Sequence, residues 1–250
     1  MNLFSHQEIM LKFHLEHPCS FDLSEVGTGK TAPVVLWLKQ KIAEKEITKA
    51  LVVCPNTIIS NWANEIAMWS DLRSVQLVGT KEKRLKLLKE PANVFIINVE
   101  GVRTIFPELI AAGFEAIIVD EAHRIKSYKG SYKTPTQSFL VRELGKTIRF
   151  RKVLTGTVLT NDVMDIWAIA QFISPRIFSS NPWGFRERFM MNVNAGKHWM
   201  TWPDWRPRPG AVEEIHKLLE PYAIRFEKRE VLKFLPPVLF QRRMVELSPE

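Results

Sequence analysis

The chain has 250 residues, 46% apolar and 25% charged, which is enough for one large domain of ordinary globular composition. That excludes a disordered tail, a collagen-like repeat and a small disulfide-stapled fold. The net charge of +8 is unevenly placed: residues 1–125 carry 14 Lys and Arg against 15 Asp and Glu, and residues 126–250 carry 21 against 12. Such asymmetry points either to a polyanionic partner or to a solvated basic face.

No apolar run approaches the ~18 residues of a membrane span, and no cationic segment leads into an apolar one at the N-terminus. The two cysteines, Cys19 and Cys54, lie in apolar segments and suit a reducing compartment. The expectation is a soluble protein, cytoplasmic or otherwise intracellular on nucleic acid, with no membrane contact and no structural metal.

Taken in chain order, short β-branched runs alternate with longer amphipathic stretches. Strands are predicted at 20–23, 50–54, 75–78, 94–97, 116–120 and 152–155. Helices are predicted at 30–45, 58–69, 81–89, 102–112 and 138–144, with Pro33 in the first turn of the first of these, where its missing N–H does no harm. Several strands are apolar without alternation, as parallel strands covered on both faces must be. The predicted class is therefore α/β, a doubly wound, mostly parallel sheet flanked by helices. After about residue 170 the strand pattern stops. Helices at 162–173, 211–219 and 227–238 predict a helical C-terminal accessory over 171–250, interrupted near 193–210 by an insertion with Trp199, Trp202 and Trp205. These tryptophans are read as a small local core or a docking surface, the alternative being stacking on bases.

Two motifs carry chemistry. Ser24-Glu25-Val26-Gly27-Thr28-Gly29-Lys30-Thr31 follows a strand and opens a helix, the context a phosphate-binding loop requires. Gly27 and Gly29 allow successive N–H groups to face an anion, Lys30 would reach the β and γ phosphates, and Thr31 would offer its hydroxyl to Mg²⁺. Ser24 stands where the strict pattern wants glycine. The second motif, an apolar strand ending in Asp120-Glu121-Ala122-His123, offers Asp120 to the metal ion and Glu121 as the base that activates water.

The ordered set of segments resembles the Swi/Snf-type ATPases of helicase superfamily 2, specifically their N-terminal RecA-like lobe. The likeness rests on Gln7, on Glu25-Val26-Gly27-Thr28-Gly29-Lys30-Thr31, and on Leu51-Val52-Val53-Cys54-Pro55 leading to Asn61-Trp62. It continues through the DEAH box Asp120-Glu121-Ala122-His123 and Leu154-Thr155-Gly156-Thr157, and ends on Arg225, Lys228-Arg229 and Leu235-Pro236-Pro237. It implies a RecA-like ATP-binding lobe over 1–170 with ATP and Mg²⁺ as cofactors. Gln7 would contact adenine, and His123, Thr155 and Thr157 would couple the hydrolytic site to the neighbouring lobe and the nucleic-acid track. Asn56 and Thr57 would hold a phosphate of the track, the plain alternative being a helix cap. Partners implied are double-stranded DNA, gripped by its phosphates, and a second RecA-like lobe in cis or trans. That second lobe would bring the arginine finger, so weak hydrolysis by this lobe alone is expected. Thr28 for leucine and Val158 for proline depart from the family pattern. An RNA or single-strand helicase lobe, and a nucleotide-holding module that does not hydrolyse, are the competing readings.

Overall fold

The computed structural model describes residues 2–156, 163–195 and 202–232. After helix α1 (Ser5–Glu16) the chain runs through β1 (Cys19–Asp22), α2 (Thr31–Ala43), β2 (Ala50–Cys54), α3 (Ile59–Trp69), β3 (Ser74–Gln76), α4 (Lys81–Leu88) and β4 (Val94–Asn98). Helices α5 (Val99–Thr104) and α6 (Phe106–Ala111) lead to β5 (Ala116–Asp120), followed by α7 (Gln137–Lys146), β6 (Phe150–Leu154) and α8 (Val163–Ile173). The remaining described elements are α9 (Pro182–Phe189), β7 (Met190–Asn192), β8 (Trp205–Pro207), α10 (Ala211–Leu219), β9 (Ala223–Ile224) and α11 (Lys228–Val231).

Seven strands form one sheet in the order β3-β4-β2-β5-β6-β1-β9, and every pairing is parallel. Strands β2 and β4 are buried along their whole length because helices cover both faces. Alternate residues serve opposite layers. Leu51, Val53, Phe95, Ile97, Ile117 and Val119 join α5, α7 and α8 on one side. Val52, Ile96 and Ile118 meet Trp37 and Leu38 of α2 and Trp62 and Ile66 of α3 on the other. Among the described residues no helix is long and apolar enough to cross a membrane.

Two sequence expectations fail, each for a physical reason. The single helix expected at 102–112 is two helices that break at Ile105, whose backbone is non-helical. Pro107 opens the second one, and a proline lacks the N–H and crowds the preceding turn. The strand pattern also does not stop at residue 170. β7 and β8 form an antiparallel ribbon that includes Trp205, and β9 returns to pair with β1 at the sheet edge. Strands of two or three residues are too short to show a period. Of the helix expected at 227–238, α11 is seen over Lys228–Val231, and residues from 233 onward lie outside the described ones.

Beneath β1 lies a buried polar group of His14, Ser20, Asp22 and Lys152. The Lys152 ammonium donates to the carbonyls of His14 and His17 and to Ser20 Oγ, and lies 4.7 Å from the centre of the Trp37 ring. Burial pushes this ammonium down to about 7. Between about pH 7 and 10 the folded chain has therefore shed a proton that the unfolded chain still holds. Stability should rise with pH across that window, by at most about 1.4 kcal/mol per unit. Thermal melts from pH 7 to 9 should show the upward trend, and Lys152→Met should flatten it.

Candidate active site

Parallel strands deliver their following loops to one edge, and the two motifs meet there. Asp22, Leu154 and Asp120 are in register across β1, β6 and β5. The glycine loop thus leaves the sheet two strands, roughly 10 Å, from the Asp120 backbone, with Thr155 between them. Lys30, at the start of α2, and Asp120, at the end of β5, are thus brought to the same edge of the sheet. A larger cavity, about 850 Å³ and lined by Lys49, Arg73, Glu90 and Asn93, opens at the opposite edge, before β2 and β4. It is remote from both motifs.

The loop's geometry suits an anion. Gly27 and Gly29 have φ of +87° and +75°, angles that side chains rarely tolerate, and a Cβ on Gly29 would meet Gln7 Nε2 at 2.4 Å. Helix α2 starts without a side-chain cap and without an acid in its first turn. Its leading amides are therefore free of the carboxylates and hydroxyls that usually satisfy them. Lys30 Nζ donates to the loop's own carbonyls at Ser24 (2.7 Å) and Glu25 (3.0 Å), and Thr31 opens α2. Thr28 contributes more than backbone: it is buried, its hydroxyl donates to Glu25 O at 2.8 Å, and its carbonyl meets His6 Nε2 at 2.9 Å. Val26 is exposed at the loop tip, and Gly156, following Thr155, packs close beneath it.

Gln7 is pinned rather than free. Its Oε1 accepts the Phe4 amide at 2.9 Å and its Nε2 donates to Gly29 O at 3.0 Å. It lines a cavity of about 270 Å³ with Phe4, Gly27, Thr28, Gly29, Lys228 and Leu232. Lys228 was not foreseen as a site residue. It arrives because the chain after β9 runs back along the loop: Glu25 N donates to Phe226 O, Phe226 N to Ser24 Oγ, and Lys228 N to Glu25 Oε2. These contacts also explain Ser24, since a glycine there would leave the Phe226 amide without its acceptor. The Glu25 carboxylate faces this returning segment.

At the second motif, Asp120 ends β5. Its Oδ1 accepts the Glu121 amide at 2.8 Å and its Oδ2 accepts Trp62 Nε1 at 2.8 Å. Burial raises its carboxyl above the ordinary value; the two hydrogen bonds oppose that, the Glu121 charge adds to it, and the Lys30 charge opposes it. Glu121 has φ +53°, left-handed backbone in a non-glycine residue, a strained geometry of the sort concentrated at functional sites. His123 Nδ1 lies 3.3 Å from Glu121 Oε2. Thr155 is buried, with its amide on Asp22 O; Thr157 lies outside the described residues. Asn56 and Thr57 are exposed in a 3₁₀ turn after β2, and neither that turn nor α3 has a side-chain cap, so these residues are not spent on capping.

The SNF2-related domain family matches residues 17–250. The chain belongs to that family. This SNF2-related domain is 30% identical over 220 residues to the ISWI chromatin-remodeling complex ATPase CHR11 of Arabidopsis thaliana, a stretch covering 85% of this chain and 19% of that protein. It is 27% identical over 238 residues to the TATA-binding protein-associated factor BTAF1 of the same plant, covering 90% and 11%. In three dimensions it resembles the SWI2/SNF2 ATPase core of Sulfolobus solfataricus, with a TM-score of 0.73 and 23% identity, over 94% of this chain and 47% of that one. The chain thus spans about a fifth or less of these curated relatives and about half of the solved core. The sheet is RecA-like, as the sequence led one to expect.

The aromatic insertion has a partial outcome. Trp205 and Trp183 both face Arg186, whose guanidinium carbon lies 5.3 Å and 4.6 Å from the two ring centres. Trp202 is exposed, and Trp199 lies outside the described residues.

Proposed function

We propose that this SNF2-related domain is the N-terminal motor lobe of an ATP-dependent double-stranded DNA translocase, with weak hydrolysis until a second RecA-like lobe joins it. The observation that carries the reading is the shared sheet edge, to which β1 and β5 deliver the uncapped glycine loop with Lys30 and the acids Asp120 and Glu121. ATP would take its phosphates into the loop amides, and Lys30 would exchange two carbonyls for phosphate oxygens. A Mg²⁺ ion fits the residues present, since Thr31 and Asp120 offer only hard oxygen donors, as this cation prefers. Once bound, the ion neutralises charge on the triphosphate. Glu121 orients the attacking water and takes its proton. Gln7 and Lys228 line the cavity assigned to the base and sugar.

His123, beside Glu121, and Thr155, between the two motifs, stand where hydrolysis could be relayed to a neighbouring lobe. Asn56 and Thr57 offer an exposed amide, a hydroxyl and the N–H groups of a turn to a backbone phosphate. The archaeal core that this chain resembles was solved with double-stranded DNA. With phosphate contacts dominating, binding should be independent of sequence and steeply salt-dependent. The decisive experiment joins this chain to a candidate second lobe and measures ATP hydrolysis with and without duplex DNA, alongside triplex displacement and strand separation. Duplex stimulation with triplex displacement and no strand separation is expected. Strand separation would favour a helicase on single strands, and nucleotide binding that stays uncoupled from DNA would leave only a regulatory module.

A further inference from the structure

We infer that Trp62 is a positioning residue for Asp120, its indole N–H fixing the carboxylate in the orientation that the magnesium ion of bound ATP requires. The inference rests on reading Asp120 as a metal-holding acid. Trp62 lies on α3, 58 positions from Asp120, and is buried in the core layer that α2 and α3 form on the sheet. Its Nε1 donates to Asp120 Oδ2 at 2.8 Å, while the Glu121 amide donates to Oδ1 at the same distance. One donor on each oxygen fixes the carboxylate plane and leaves each oxygen an unused lone-pair direction for a metal-bound water.

Packing alone does not account for the contact. Trp37 belongs to the same core layer and is as deeply buried, yet its Nε1 has no hydrogen-bond partner. The core therefore accepts an indole without pairing its N–H, and the aim of Trp62 at Asp120 is a separate feature. A phenylalanine would fill much of the same volume and would leave Oδ2 without its protein donor in a largely buried site. Helix α3 also follows directly on the exposed turn carrying Asn56 and Thr57. A phosphate held there and a metal ion held at Asp120 would share one rigid element.

The test compares Trp62→Phe with the parent chain in two binding titrations using a fluorescent ATP analogue, one in EDTA and one at fixed nucleotide with rising Mg²⁺. Metal-free nucleotide affinity should stay within about twofold, and the Mg²⁺ midpoint should rise about ten- to a hundredfold, the scale of one hydrogen bond to a charged group. A purely structural role would shift neither midpoint selectively. The ¹H–¹⁵N indole resonance that disappears in Trp62→Phe identifies Trp62, and in the parent it should move on adding Mg²⁺ to the nucleotide complex. Should the phenylalanine variant fail to fold, a benzothienylalanine at position 62 keeps the ring shape and removes only the N–H. An unchanged Mg²⁺ midpoint in a folded variant, while Asp120→Asn shifts it, overturns the role of Trp62 and leaves the site intact. If Asp120→Asn leaves the midpoint unmoved as well, the metal-site reading itself falls.

Discussion

Glu121→Gln is expected to lower DNA-stimulated ATP hydrolysis by roughly 10²–10⁴-fold, the usual contribution of a positioned general base, with ATP affinity nearly unchanged. Glutamine keeps the length and shape of the side chain but cannot take the proton of the attacking water. The backbone at Glu121 is left-handed, φ +53°, and glutamine meets the same steric cost there as glutamate, so the exchange leaves the loop as it was. Phosphate release in single turnover, measured on the chain joined to a second lobe, reads the effect directly. Retention of the parent rate would remove Glu121 from the mechanism.

Lys30→Ala should act on binding instead. One charge-assisted hydrogen bond to a phosphate is worth about 1.5–3 kcal/mol, so Mg-ATP affinity should fall by about one to two orders of magnitude in calorimetry. The same change frees the carbonyls of Ser24 and Glu25, which now accept from Lys30. A melting temperature close to that of the parent would show that loop order is kept and that the loss belongs to the phosphate contact. Arginine should not restore affinity, since its planar fork cannot occupy the point-like place of an ammonium between two loop carbonyls.

Much of this candidate site is legible in the sequence, because its signals are local. A strand, a turn with two glycines and a helix occupy one continuous stretch, and an unbroken apolar run ends on two acids at 120 and 121. The parallel register then follows from helices that alternate with strands. What escaped was either short or distant. Pro107 announced the break between α5 and α6, but the apolar spacing around it masked the signal. β9 has two residues and therefore no period, and only its pairing with β1 makes it a strand. Lys152 sits in β6 as an apparently ordinary basic residue, and nothing near it in the chain says that its acceptors come from α1 and the residues just after it. The Trp62–Asp120 bond and the approach of Lys228 to the loop join positions 58 and about 200 apart in the chain, and local pattern cannot report such encounters.

The seam between β1 and β9 has a mechanical meaning. A pull on the polypeptide beyond residue 226 would bear on the bonds from Leu23 to Ile224 and from Glu25 to Phe226, which tie that stretch to the end of β1. Traction on that stretch would thus reach the root of the glycine loop directly through these two bonds.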